Sequence, residues 1–537
     1  MKAFKKTISF MCLMVLVVPL LAQNYEQTAK LSPPTKESGA FYGHRVDVDG
    51  DYAIVGEVKG ELDINEENPI TNAGSAYIYE KQNGVWELKQ KLVQEHRWFY
   101  DEFGRSVAIQ GDYAIVGISK EDLDDPNDSS SNRSTQRGAA MIYKRDTEGI
   151  WQEHQLLIAG EGSSVSGEEF GYSIIMKDNL ILVAAPYLNT WVNGEYYHDI
   201  GAIYVFEKDE ETDMWYKTQK ITASDPTGYD LFGYKIDYDE GTIVVSAAYH
   251  EATDADKNVG AAYIFEKNND GVWEEMQKIE PSIQSDDMLF GYGLAITGNY
   301  IFVGAPEQDD GNTQFTGATY MFKRNEDGVW SEVQRLVVEN QFFKDKYGEA
   351  IVAYENQVII TAGNKYYNNT LGQGAGYAYL YEINEENDTL ELLETIRPSE
   401  ENNVQTFGDY INYDGETIIV ADVLDRGIDD GEFVFSAGAV YIFEPSATLD
   451  DSTFSNQKNK LSISPNPATD HLNINIQGAF IENMSILDMM GRVVYKESNP
   501  SFNDSYSINV SKLGKGTYLL NSKTNLGKVL SVKFIKQ

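Results

Sequence analysis

The chain has 537 residues and a net charge of −41, with 84 acidic against 43 basic side chains. So acidic a body repels phosphate backbones and anionic lipid surfaces, which argues against nucleic acid and the membrane surface as partners. The length exceeds one simple core and suits a large repeat domain plus an accessory one, while 35 Tyr and 45 Gly against 14 Pro favour many short strands joined by turns.

The chain opens like a secretory signal: Lys2, Lys5 and Lys6, an apolar run from Ile8 to Leu21, then the small residue Ala22 before Gln23. At roughly 14 residues the run is short for a membrane span, so no integral membrane segment is expected in the mature protein. The sole cysteine, Cys12, lies inside the run. The mature chain is therefore expected to carry no disulfide and no thiolate metal site.

An aromatic-glycine pair then recurs, with its glycine at Gly43, Gly104, Gly171, Gly233, Gly291, Gly348 and Gly408, every 57 to 67 residues. Self-similarity at a fixed period marks an array of supersecondary units. Each unit divides into four strand-like runs, in the second copy Phe103 to Ile109, Tyr113 to Ile118, Gly138 to Lys144 and Trp151 to Ile158. The second run is the most apolar, as expected of a strand covered on both faces. The fourth opens with Trp and alternates with Lys, Glu and Gln, as suits a half-exposed edge. Four-stranded units repeated radially make a β-propeller. The seventh unit breaks off at Pro445 without a fourth run, and Tyr25 to Leu31, ahead of the first unit, matches Trp273 to Ile279 in register. The expectation is an all-β, seven-bladed β-propeller over residues 23–446, closed by its N-terminal strand.

These pairs, with Val303-Gly304-Ala305-Pro306 and Val183-Ala184-Ala185-Pro186, resemble FG-GAP repeats, the units of the integrin alpha-subunit propeller and its bacterial relatives. Calcium-binding members carry a long Asp-rich loop between the first two strands, where this chain has tight turns such as Asp49-Gly50. Asp47, Asp49 and Asp51 imitate a cation loop, but alternation along a strand is expected to send them to differing faces, so no cofactor is expected and calcium stays a lesser alternative.

After Pro445 a polar stretch without periodicity reads as a linker over 447–460. Residues 461–537 hold short alternating strands (Leu472 to Ile476, Met484 to Leu487, Val493 to Lys496, Tyr518 to Asn521, Val529 to Ile535). Ser464-Pro465-Asn466-Pro467-Ala468, Asp488 with Gly491-Arg492-Val493, Gly516-Thr517-Tyr518 and the basic tail at Lys533 and Lys536 resemble the type A C-terminal sorting domain of the Bacteroidetes type IX secretion system. The resemblance implies a small Ig-like β-sandwich, the type IX secretion machinery as partner through 461–537, and a secreted or outer-membrane cell-surface destination.

The connections from run one to two and from three to four are short, whereas those from two to three and from four to the next unit are long. With strands alternating up and down, both long classes emerge at one end of the ring, where a rigid scaffold carries variable surface. Those loops combine aromatics with carboxylates, and the candidate ligand-binding residues are Trp98, Tyr100, Asp124, Asp125, Trp191, Tyr197 and Tyr367. The six histidines lack zinc-type spacing, and no Ser sits in a G-x-S-x-G elbow. His198 with Asp199 and His250 with Glu251 sit on the long-loop face in adjacent copies, and two such pairs among loops this acidic are expected by chance. The sequence thus points to a binding or adhesion propeller for a glycan or an extracellular protein; the alternative is a secreted glycan hydrolase or lyase using the same face as a cleft.

Overall fold

The structure, a computed structural model, describes residues 24–121, 136–160, 167–192, 194–251, 258–309, 315–338, 344–363, 376–399, 404, 406–429, 432–446, 461–464, 467–476, 481–488, 492–498, 505–524 and 529–536. The expected signal peptide and linker and three candidate residues, Asp124, Asp125 and Tyr367, lie outside the described residues. By internal contacts the chain divides into two units, one through Pro445 and one from Ser446.

The first unit holds seven four-stranded antiparallel sheets among its described residues. The first is Tyr42–Asp49, Tyr52–Glu57, Ser75–Gln82 and Val85–Leu92; the second is Phe103–Gln110, Tyr113–Ile118, Ala139–Arg145 and Trp151–Leu157. The third to sixth follow in the same strand order over 174–221, 236–279, 294–336 and 347–396. The seventh takes three strands from its own repeat, Tyr410–Tyr413, Ile418–Asp422 and Ala439–Pro445, and its fourth from the other end of the unit, Tyr25–Leu31. That fourth strand runs antiparallel to Ala439–Pro445, from Tyr25 opposite Pro445 to Leu31 opposite Val440. First strands of successive sheets touch in order, and the first strand of the seventh touches that of the first. The ring is therefore closed by pairing rather than by a peptide bond.

Burial follows the alternation of residue types. Second strands are apolar because both faces are covered, and Leu180–Ala185 is buried at every position. Fourth strands bury their ends and leave most of the middle exposed, with Trp86, Trp151, Trp215, Trp273 and Trp330 buried against the preceding sheet round the ring, and Leu390 and Tyr25 in that place in the sixth and seventh sheets. Apolar clusters lie between sheets: Ile203 and Val205 of the third sheet pack with Ile243, Val245, Tyr263 and Trp273 of the fourth.

The aromatic-glycine pair acts at the seams. Gly104 has φ +90°, and a Cβ built there falls 2.3 Å from the Ser75 carbonyl oxygen of the preceding sheet. Only glycine permits both that backbone and that approach. The Phe beside it is buried and bridges Gly74, a pairing repeated between Phe170 and Gly138 and between Phe232 and Gly201. At the rim, Gln90 both donates to the Trp151 carbonyl and accepts from its amide at 2.9 Å, and Gln155, Gln219 and Gln277 do the same for the next tryptophans.

The turn end corrects the reading of Asp47 and Asp49. They sit two apart in one strand and so share a face. Both reach the second sheet, Asp47 Oδ2 accepting from Ile109 N and Asp49 Oδ2 from Gly111 N, each at 2.7 Å. Asp237 and Asp239 repeat the pattern onto Ile296 and Gly298 of the fifth sheet at 2.8 Å. These carboxylates staple neighbouring sheets. Burial pushes Asp47 up to about 7 and Asp237 up to about 6, against the amide hydrogen bonds they accept.

The second unit pairs Leu461–Ser464, His471–Ile476 and Ser505–Asn509 in one sheet, and Val493–Ser498, Ile481–Asp488, Gly516–Thr524 and Val529–Lys536 in another. Leu472, Ile474 and Ile508 of one share a core with Met484, Ile486, Leu520 and Phe534 of the other. Strands 461–464 and 505–509 go beyond the five legible in the sequence, being short and flanked by polar residues.

Candidate functional site on the long-loop face

Backbone hydrogen bonds tie the two long loop classes together at one end of the ring. The loop entering the second sheet bonds the second-to-third loop of the first, Tyr100 N to Thr71 O and Glu102 N to Asn72 O. The same knitting joins Tyr229 N to His198 O and Leu231 N to Asp199 O. Its backbone device recurs: Phe41, Glu102, Glu169, Leu231, Leu289 and Lys346, each just before the aromatic of a pair, have positive φ.

On this face the third sheet sends out a ribbon, Thr190–Val192 paired with Glu195–Tyr197. Trp191 stands edge-on to Tyr196 at 5.3 Å, Tyr196 edge-on to His198 at 5.0 Å, and His198 stacks on Tyr229 from the next loop at 5.9 Å and 14°. Trp191 is 68% and Tyr229 60% exposed, so these rings do not serve to bury their own loops. Tyr197 donates from its hydroxyl to Glu195 Oε2 at 2.9 Å, one strand position away from this row. Trp98 and Tyr100 are 44% and 54% exposed in a separate loop, between the first and second sheets, with Trp98 N held by Asp101 Oδ2 at 2.7 Å. The structure thus brings Trp191 together with Tyr196, His198 and Tyr229, and keeps Trp98 and Tyr100 apart in sequence and sheet.

Neither histidine forms the pair its sequence neighbour suggests. His198 Nδ1 faces Asn189 Oδ1 at 3.2 Å. His250 is buried, its Nδ1 3.0 Å from Asp230 Oδ1 and its Nε2 2.8 Å from Lys278 Nζ. Because an ammonium only donates, Nε2 must accept and Nδ1 carries the proton to Asp230. Lys278 also lies over the Tyr263 ring, whose hydroxyl donates to Asp225. A cation over a third-strand tyrosine with a carboxylate or amide acceptor recurs as Lys91, Tyr77 and Glu57, as Arg335, Tyr320 and Gln308, and as Lys30, Tyr441 and Asp425. His250 is thus an added member of a repeated brace.

A second constellation lies on the ring axis. Arg45, Arg105, Tyr172, Tyr234, Lys235, Tyr292, Glu349, Asp409 and Tyr410 line a cavity of about 200 Å³. Six of them directly follow a repeat glycine, which is the signal in the sequence that locates them. A wider vestibule of about 840 Å³ opens at the turn end, sharing Arg45 and Lys235.

Two families match. The FG-GAP repeat matches residues 25–79, 86–140, 215–265 and 273–322, and the secretion system C-terminal sorting domain matches 462–537. The chain is an FG-GAP repeat protein with a C-terminal sorting domain. Each matched FG-GAP repeat joins the fourth strand of one sheet to the first three of the next. This offset between sequence repeat and sheet is the same one that leaves the seventh sheet to be completed by Tyr25–Leu31. The sorting domain marks this FG-GAP protein for export by the type IX system, to the medium or the cell surface. No curated protein matches it. Similar solved structures include a protein from Lactobacillus plantarum (12% identity, 67% of this chain and 86% of that one, TM-score 0.39) and putative 6-phosphogluconolactonases from Bacteroides fragilis (8%, 66% and 84%, 0.40) and Bacteroides uniformis (10%, 66% and 85%, 0.39). Among the described residues of the FG-GAP protein no helix is long and apolar enough to cross a membrane, and no group of three or more His, Cys, Asp or Glu is placed to hold a metal ion.

Proposed function

We propose that the exported ring is an extracellular binding and adhesion module that takes a glycan on its long-loop face. The observation that carries this reading is the row Trp191, Tyr196, His198 and Tyr229, four rings in mutual contact, solvent-facing and mounted on a paired ribbon. Aromatic faces accept the apolar side of a sugar ring, while neighbouring polar groups such as Asn189 and Glu195 meet its hydroxyls. Carboxylates across the acidic body tune partner choice and on-rate more than affinity. Binding rather than turnover fits the two histidines, one facing an amide and the other locked in a brace. A glycan array probed with the exported chain, with and without calcium, tests the reading. Retention of defined oligosaccharides, lost on Trp191→Ala, is expected; retention of none, or hydrolysis of those retained, overturns it.

A further inference from the structure

The axial cavity separates its charges around the ring. Going round, the residues that follow the repeat glycines are His44, Arg105, Tyr172, Tyr234, Tyr292, Glu349 and Asp409. The first two sheets supply cations, Arg45 and Arg105; the third to fifth supply Tyr172, Tyr234 and Tyr292, in ring contact at 5.8 Å and 5.2 Å; the sixth and seventh supply Glu349 and Asp409. Lys235 reaches across the axis towards Tyr410 at 5.6 Å, and Arg45 lies over the same ring at 4.1 Å.

These charges are not paired with one another. Among the described residues, neither Arg45 nor Lys235 forms an ion pair, Arg105 stacks on Tyr172 at 4.3 Å with its nearest carboxylate, Glu102, at 4.0 Å, and Arg105 Nε is buried without a hydrogen-bond partner. The ion pair of Glu349 is with Lys346, at 3.8 Å and outside the cavity lining, while the Gly363 amide and, more weakly, Lys235 also favour its charged form. Burial, then the two arginines, holds the Lys235 ammonium well below its usual range; burial, then Glu349, pushes the Asp409 carboxyl well up. Burial and the adjacent arginines likewise keep His44 neutral, so it accepts from Arg105 Nη1 at 3.0 Å and orients it. Basic groups on one side of a buried cavity and carboxyls on the other, with the partners Glu102 and Lys346 both outside its lining, are costly to keep charged unless something inside it supplies counter-charges.

We propose that this cavity is a socket for a small zwitterion of the free α-amino acid type, its carboxylate between Arg45 and Arg105, its ammonium against Glu349 and Asp409, and its carbon frame along the tyrosine arc. Arginine forks match a carboxylate with two parallel hydrogen bonds. Carboxylates and tyrosine faces together hold an ammonium. A plain anion would face Glu349 and Asp409, and a plain cation would face Arg45 and Arg105, so the arrangement favours a ligand with both charges. At about 200 Å³ the cavity is smaller than the roughly 300–1,000 Å³ of pockets for drug-sized ligands, which suits one small molecule. The socket is separate from the surface aromatics, and its test is independent of the glycan reading.

The test is calorimetric titration of the full exported chain with each proteinogenic amino acid, and, for any that binds, with the matched acid lacking the amine and the matched amine lacking the acid. At least one amino acid is expected to bind with a Kd below roughly 1 mM, and each truncated analogue to bind at least about tenfold more weakly. Arg105→Gln and Glu349→Gln should each weaken binding by at least about tenfold. Because Arg105 also packs on Tyr172, thermal melts accompany each variant, and Asp409→Asn carries the test if Arg105→Gln melts early. No binding by any amino acid, equal binding by the acid alone, or unchanged affinity in Glu349→Gln and Asp409→Asn overturns the proposal.

Discussion

The two ends of the ring use the same strands for different ends. At the turn end, side chains are spent on the neighbouring sheet: Asp47 and Asp49 hold the second sheet, Asp237 and Asp239 the fifth, and Asp414 Oδ2 accepts from Gly50 N across the closing seam at 2.9 Å. At the loop end the backbone repeats, with left-handed residues before six of the aromatic-glycine pairs, and so does the cation-tyrosine brace, but the exposed side chains do not. Repetition marks what holds the ring; its lapse, in the ring row of Trp191, Tyr196, His198 and Tyr229 and in the residues facing the axis, marks where a ligand is best sought.

The largest effect is expected at the closing strand, which no peptide bond secures. Removing residues 24–33 strips Tyr25, Leu31 and a full ladder from the seventh sheet, and chemical denaturation should show a loss of at least about 4 kcal/mol by lost burial and hydrogen bonds. An unchanged midpoint would mean that the other six sheets hold the ring unaided.

The contrast between seam and turn is sharpened by two glycines. Gly104→Ala puts a Cβ 2.3 Å from the Ser75 carbonyl at φ +90°, whereas Gly50, at φ +56°, has nothing within 4 Å of the same position. The first should cost about 3 kcal/mol or more and the second about 1 kcal/mol. Equal losses would show that only backbone conformation matters at the seam.

A smaller, pH-dependent effect belongs to Glu57 at the loop end, where Oε2 accepts from Ser75 at 2.6 Å and Tyr77 at 2.8 Å while Oε1 is buried without a hydrogen-bond partner. Burial pushes this carboxyl up to about 7. The folded state therefore holds a proton that the unfolded chain gives up above about pH 4.3, so the stability it contributes is complete below that pH and lost as pH rises through about 7. Glu57→Gln keeps the acceptor and removes the charge, and should gain about 1–3 kcal/mol at about pH 8.5 with little change at about pH 4.5. A loss at the higher pH would show that the charged carboxylate is the preferred form.

The smallest stability effect is expected at Trp191, where truncation to Ala should move the melting free energy by less than about 0.5 kcal/mol, as for other exposed residues. A larger loss would return the aromatic row to the scaffold.

Much of this was legible in the sequence because strand period, turn residues and the repeat agree. The apolar Leu180–Ala185 and the alternating run after Trp273 read directly as covered and edge strands, and the missing fourth run after Pro445 pointed to Tyr25–Leu31. The ribbon carrying Trp191 has a signal too, Asn193-Gly194 between alternating residues, but its strands of three residues are too short to stand out from a long connection. Asp47 and Asp49 were misassigned because their shared face is decided by strand period, two residues apart. The axial cavity escaped because its residues are scattered about sixty positions apart and differ in type; only the ring geometry, which turns the position after each repeat glycine towards one axis, gathers them. The partners of His250 lay equally far off, Asp230 twenty residues before it and Lys278 twenty-eight after.

The most direct test of the long-loop face as the ligand site is hydrogen exchange of the exported chain saturated with an oligosaccharide that it retains. The account predicts slowed exchange confined to the ribbon and its neighbour, residues 187–200 and 227–231, and abolished by Trp191→Ala with Tyr196→Ala. Slowed exchange at the turn end, or along the first strands around the axis with the ribbon unchanged, would contradict it.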